Sequence, residues 1–216
     1  MVGFWTFSEP GGHVTNEDAF LVRPHPDDEL VWLCALGDGQ GGRAGGARAS
    51  QWACQVLIES AIQHSVQRLA EPGTWVTILR RADNAVQSDG EAGLTTLIGF
   101  CVSHQTVIGA SNGDSAMVVF GGDNYVRDLT RDQQKNPPVG SGFAAIVPFG
   151  TRLPQSWTVL AMSDGVWKYC GWDRIRKCGS NLRGEALIEA LQQSARLPGR
   201  GTFPDDFTVV AFQDGD

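Results

Sequence analysis

The chain has 216 residues, 42% of them hydrophobic, enough for one domain with a sizeable core and no reason to expect two. A net charge of −7 argues against a nucleic-acid or anionic-membrane surface, where a basic patch is expected. No apolar run approaches the ~18 residues of a membrane helix, and the opening MVGFWTFSEP lacks the charged start and apolar core of a signal peptide.

In chain order, the first clear element is residues 31–36, VWLCAL, a continuously apolar run that predicts a buried strand. Residues 47–69 predict a helix, with Trp52, Ala53, Val56, Leu57 and Ala61 at helical spacing. Residues 74–86 predict a second, with Trp75, Ile78, Leu79, Ala82 and Ala85 on one face. Strands follow over 95–102, 106–110 and 116–120, the first two joined as a hairpin by Ser103-His104-Gln105. Residues 130–155 are rich in Pro and Gly, poor in periodic apolar positions, and read as an exposed loop of functional type. A strand over 158–162, a helix over 184–197 stopped by Pro198-Gly199, and a strand over 207–212 complete the chain. Blocks of adjacent strands with few helices between them favour antiparallel sheets with helices outside, an α+β class.

The sequence LGDGQGG leaves the strand 31–36 through Asp38. Four other acidic sites have similar surroundings. Glu17 and Asp18 stand in NEDAF before Phe20-Leu21, and Asp114 stands in SNGDS between two strands. Asp164 follows the strand 158–162 in AMSDG, and Asp205 and Asp206 precede the final strand in FPDDFTVVAF. Each alone reads as a turn, because Asp bonds its own backbone and Gly accepts positive φ. Together, at the ends of central strands, their like charges are tolerable only when cations neutralise them. All are oxygen ligands, which selects Mg²⁺ or Mn²⁺ over zinc or copper. The four histidines (His13, His25, His64, His104) form no zinc-binding pattern. The five cysteines (Cys34, Cys54, Cys101, Cys170, Cys178) lack C-x-x-C spacing and read as free and reduced, which points to the cytoplasm. A carboxylate cluster holding two metals ~3.5–4 Å apart is a device for activating water against a phosphate ester. Gly39 would let its carbonyl turn towards a metal, and Gly41-Gly42 would let a substrate approach the backbone.

These residues resemble the metal-dependent Ser/Thr phosphatases of the PP2C, or PPM, type. The six matching stretches are NEDAF, LGDGQGG, LTTLIGF, SNGDSAMVVF, LAMSDGVWKY and DDFTVVAF, in the family's order and over most of the chain. The resemblance implies an αββα sandwich, two central and mainly antiparallel sheets flanked by helices, as one domain over residues 1–216. It implies a binuclear metal centre for Mg²⁺ or Mn²⁺, with a weaker third ion in some members. By position, Asp38 would bridge both metals, the Gly39 carbonyl would bind the first, and Asp164 and Asp205 would bind the second. Glu17 would act through water, Asp18 would lie in the same acidic site, and Asp114 with Asp164 would hold the third ion. A hydroxide bridging the two metals would attack phosphoserine or phosphothreonine in line, without a phosphoenzyme. The implied partner is a phosphorylated protein, the product of a Ser/Thr kinase, in a small bacterial member of the family.

The departures from the family pattern are specific. The family's phosphate-clamping Arg is His13 here, which implies weaker phosphate binding that weakens further as pH rises. Arg43, Arg48 or a residue of the 130–155 loop would be the substitutes. Gln40 occupies the variable position of D-G-x-G-G, Leu94 the glycine of G-T-T, and Ala116 the arginine of G-D-S-R. The region between Asp114 and Asp164 is short, leaving only residues 130–155 as a flap and a more open cleft. His13, Leu94 and Ala116 support a second reading, a pseudophosphatase or binding module of the same fold. A phosphatase of small phosphomonoesters is a third.

Overall fold

The computed structural model describes residues 2–12, 14–40 and 45–215. In chain order, strands β1 (Val2–Glu9), β2 (Asp18–His25) and β3 (Asp28–Asp38) precede helices α1 (Gly46–Ala61), α2 (Val66–Leu69) and α3 (Pro72–Ser88). Strands β4 (Leu97–Val102), β5 (Thr106–Asn112), β6 (Ala116–Phe120), β7 (Val126–Asp128), β8 (Val147–Arg152) and β9 (Thr158–Met162) follow. Helices α4 (Asp164–Cys170), α5 (Trp172–Asn181) and α6 (Gly184–Ala195) then lead to β10 (Phe207–Asp214). The strands form two five-stranded sheets, ordered β1-β10-β9-β6-β7 and β2-β3-β4-β5-β8. Every strand pairing in them is antiparallel.

Alternation along the strands sorts the apolar residues into three layers. On β3, Leu33 and Ala35 face the helices, packing with Leu57 of α1 and Ile78 of α3. Cys34 and Leu36, on the opposite face, join Phe100, Val159 and Phe212 between the two sheets. Leu160, Val209 and Ala211 of the other sheet pack outward on Leu187 and Leu191 of α6. Both faces of β4 and β9 are therefore buried, which explains their unbroken apolar sequences. The result is helices, sheet, sheet, helices, the αββα arrangement that the resemblance implied.

Several elements differ from the sequence reading. The helix expected over 47–69 is two, α1 and the single turn α2, the break being capped by the Ser65 hydroxyl, which accepts the Arg68 N–H. Strands β1 and β2 carry no run long enough to predict them, because β1 is an edge and mixes apolar with polar residues. Helix α4 follows a buried strand directly and is too short to show a period, and α5, which follows it across Gly171, was not read from the sequence. The segment 130–155 is not simply an exposed loop. It contains β8, the outer strand of its sheet, and buries Val139, Ala144 and Phe149. Pro148 and Gly150 hide that strand in the sequence, and an edge strand tolerates the proline.

Asp83 of α3 holds this segment. Its buried carboxylate accepts the N–H groups of Gly140 (2.8 Å), Gly142 (3.0 Å) and Ala144 (3.0 Å), and the Arg80 guanidinium at 3.1 Å. Asp83→Ala would leave three amides without their acceptor. Urea unfolding is expected to show a loss of about 2–4 kcal/mol, against less than about 1 kcal/mol for an exposed carboxylate such as Asp173.

Candidate metal centre

The site is built where the two sheets meet α1, α4 and the end of β3. Asp38 ends β3, and its backbone is held by two threonines just before β4. The Thr95 hydroxyl and the Thr96 N–H both donate to the Asp38 carbonyl at 2.9 Å, and the Asp38 N–H donates to the Thr96 hydroxyl at 3.0 Å. Gly39 donates its N–H to the Glu17 carbonyl at 3.0 Å. A Cβ on Gly39 would lie 2.4 Å from the Gly46 carbonyl and 2.6 Å from that of Glu17, so only glycine fits. This close approach of β3 to α1 is a packing reason for the glycine that the sequence reading did not contain. Gly41 and Gly42 lie outside the described residues.

Asp18 begins β2 and is the register partner of Asp38. Directly opposed residues on neighbouring strands share a face, with Cβ atoms roughly 4.5–5.5 Å apart, and like charges there repel. Asp18 is 6% exposed, and neither carboxylate oxygen makes a well-formed hydrogen bond, although the Ser163 and Thr208 hydroxyls stand close by. Glu17, one residue earlier, is fixed through its backbone. Its N–H donates to Asp206 Oδ2 at 2.6 Å, and its carbonyl accepts the Ser50 hydroxyl at 2.6 Å. Asp206 also takes the Gly11 N–H at 2.7 Å, so it anchors the segment leading to Glu17.

Asp164 starts α4 directly after β9, and Asp205 and Asp206 immediately precede β10, its neighbour in the sheet. A Cβ on Gly165 would lie 2.0 Å from the Asp206 carbonyl, which forces the glycine of AMSDG. Asp114 occupies the β5–β6 turn, where its carbonyl accepts the Trp167 indole N–H at 2.9 Å. Glu17, Asp38, Gly39, Asp114, Asp164, Asp205 and Asp206 all line one polar cleft of about 210 Å³. Gln40, Thr95, Thr96, Lys135, Asn136 and Pro138 complete it. A larger groove of about 630 Å³ between β2 and α1 is mostly apolar and contains none of the cleft's carboxylates. The sequence reading had LTTLIGF as a matching motif and residues 130–155 as a flap and a source of a substitute clamp, but assigned nothing to Thr95, Thr96, Lys135 or Asn136 by name.

Electrostatics in the cleft follow from burial and like charge. Burial first, then the charges of Asp18, Asp164 and Asp114, pushes the Asp38 carboxyl up to about 9. Burial pushes Asp18 up to about 7, with the Ser163 and Thr208 hydroxyls opposing and Asp206 and Asp164 adding. Asp164 is raised by burial, against the pull of Lys168. Lys168 is raised in turn, burial opposing, by its bond to Asp164 and the charges of Asp164, Asp114 and Asp205. Burial also raises all five thiols, so no thiolate nucleophile is present at neutral pH.

A family model described as Protein phosphatase 2C matches residues 12–137. The chain belongs to the protein phosphatase 2C family. Its enzyme class is thus that of the protein-serine/threonine phosphatases. Three solved structures share the fold. A variant of a bacterial serine phosphatase has a TM-score of 0.82 at 20% identity, over 100% of this chain and 99% of that one. The catalytic domain of the serine/threonine protein phosphatase PstP, in complex with two manganese ions, has 0.77 at 19%, over 100% and 99%. RsbX in complex with magnesium has 0.75 at 13%, over 98% and 94%. No curated protein sequence matches the chain.

Within the protein phosphatase 2C frame, the departures from the motifs sort as follows. His13 and Arg43 lie outside the described residues. Arg48 pairs with Asp89 (2.8 Å) and Glu91 (3.0 Å) and does not line the cleft. Ala116 packs in the core between its sheet and the helices, and Leu94 contributes its carbonyl to the Gln40 N–H at 2.8 Å. His25, fully buried, is turned to the His64 carbonyl and the Asp27 N–H, and no described histidine lines the cleft. Among the described residues no helix is long and apolar enough to cross a membrane.

Proposed function

We propose that the chain hydrolyses phosphoserine and phosphothreonine on proteins in the cytoplasm, reversing a Ser/Thr kinase, as a single catalytic domain over residues 1–216 with a short flap at about 130–155. The observation that carries this reading is a carboxylate-lined cleft that includes Asp38, with Asp18 buried opposite Asp38 on the neighbouring strand. Two opposed buried carboxyl groups, each resisting ionisation beside the other, make an arrangement that divalent cations relieve. The donors are all oxygen, with no His or Cys among the lining residues, which suits Mg²⁺ or Mn²⁺.

Asp38, the Gly39 carbonyl, Asp164, Asp205 and Glu17 would hold two ions, with Asp18 behind them. Among the described residues no three such side chains already stand close enough to share an ion, so binding would turn carboxylates towards one another. When bound, the ions would supply a water-derived nucleophile at neutral pH and offset charge on the phosphoryl oxygens. The protein's own part is positioning. Thr95 and Thr96 fix the Asp38 backbone, and Asp206 fixes the Glu17 segment. The Thr95 and Thr96 hydroxyls are taken up in this way, and the cysteines are buried or raised. Among the described residues the cleft therefore offers no free hydroxyl or thiol nucleophile, in keeping with direct attack by water.

The test is turnover of a phosphothreonine peptide and of p-nitrophenyl phosphate with Mn²⁺, with EDTA, and after Mn²⁺ is restored. Peptide turnover that EDTA stops and Mn²⁺ restores is expected. Turnover of the small ester alone would move the substrate class to small phosphomonoesters. No turnover of either at millimolar Mn²⁺ would favour a binding module that keeps the fold.

A further inference from the structure

Asp114 and Asp164, the pair to which the resemblance gives a third ion, each carry a lysine. Lys135 Nζ donates to Asp114 Oδ2, and Lys168 Nζ donates to Asp164 Oδ2. Neither pairing is a chance meeting of long side chains. Lys168 stands four residues after Asp164 on α4, the spacing that places both on one helix face with the acid towards the N-terminus. Lys135 is delivered by a segment stitched to both sides of the Asp114 turn. The Gln134 carbonyl accepts the Gly113 N–H at 2.9 Å and the Asn112 amide at 3.1 Å, and the Gln133 amide donates to the Ser115 carbonyl at 2.5 Å. Trp167, next to Lys168, ties α4 to the same turn through the Asp114 carbonyl.

Two ammonium groups bring the same +2 as one divalent cation, placed on the same two carboxylates. An ion binding there would have to displace at least one lysine. On the other side of the cleft the situation is reversed. Among the described residues, no lysine or arginine forms an ion pair with Asp18, Asp38 or Asp205.

We infer that Lys135 and Lys168 serve as built-in cations on the Asp114–Asp164 side of the cleft, so that this phosphatase takes two divalent ions and excludes a third. The inference rests on the metal-dependent reading above. Their role is positional and electrostatic, and it makes the Mn²⁺ stoichiometry, not activity, the deciding readout.

Equilibrium dialysis against millimolar Mn²⁺, with the metal counted by elemental analysis, tests it. Two Mn²⁺ per wild-type chain are expected, and still two in Asp114→Asn. The double variant Lys135→Met/Lys168→Met is expected to take a third, which Asp114→Asn then removes. Both lysines are exposed, 61% and 40%, so the variant should fold, and its melting curve checks this. The single variant Lys168→Gln gives the same test with a smaller change. Three ions in the wild type, a loss of one ion in Asp114→Asn alone, or no gain in the lysine variants would overturn the inference. No Mn²⁺ in the wild type at all would overturn the metal-dependent reading itself, and this inference with it.

Discussion

Asp38→Asn is expected to lower kcat/KM on a phosphothreonine peptide by on the order of 10²–10³-fold or more, the loss that follows removal of a preorganised electrostatic group. The same substitution is expected to raise the melting temperature of the metal-free protein at pH 8. Asp38 is buried opposite Asp18, and without a cation burial and its acidic neighbours keep its carboxyl protonated up to about pH 9, which costs folding free energy because the unfolded chain ionises it. A neutral amide of the same shape carries no such cost. A gain on the order of 1–2 kcal/mol, roughly 2–8 °C for a chain of this size, is the expected scale. Added Mn²⁺ should then stabilise the variant less than the wild type. A merely structural aspartate would instead lose stability when neutralised. Full activity in Asp38→Asn, or a lower melting point without metal, would show that Asp38 is a turn residue.

How much of this was legible in the sequence depends on what each residue does. The strands β3, β4, β6, β9 and β10 could be read because they lie inside their sheets and must be apolar on both faces. β1 and β8 could not, because an edge strand needs no such run, and β8 carries a proline. The acidic residues could be read as a group because all but Glu17 and Asp18, which stand at the start of the edge strand β2, flank one of those central strands. Their pairing could not. That Asp18 faces Asp38 is a matter of register between β2 and β3, and nothing in either segment states it. Lys135 was hidden for a different reason. Its contact with Asp114 spans 21 residues and depends on where residues 133–134 dock, which only the folded turn defines. Trp167 does two things: its indole N–H serves the Asp114 turn while its ring stacks on Trp172 at 6.1 Å. An aromatic with a polar edge can do both, and spacing alone does not separate them.

The metal-free protein is expected to lose stability as pH rises, the reverse of the usual acid unfolding. Unfolded, Asp18 and Asp38 would titrate near the ordinary carboxylate value of 3.8, whereas burial and mutual repulsion raise them to about 7 and about 9 in the fold. Between these limits the folded state holds protons that the unfolded chain has released, so unfolding gains stability relative to folding at each step upward in pH. The contribution is therefore most favourable below about pH 4 and declines through pH 9. A one-unit change in a pKa is worth about 1.4 kcal/mol. With relaxation of the cleft taking much of it, a loss on the order of 3 kcal/mol from pH 5 to pH 8.5 is expected, roughly 6–12 °C in melting temperature. Mn²⁺ binds the deprotonated carboxylates and stabilises most where the metal-free protein is weakest, so it should flatten or reverse the slope. Asp18→Asn should shrink the slope even without metal, which assigns it to this pair and not to the rest of the chain. Melting curves with EDTA and with Mn²⁺ across that range decide the matter. A metal-free melting temperature that holds steady or climbs with pH would mean that the two carboxylates are not buried against each other.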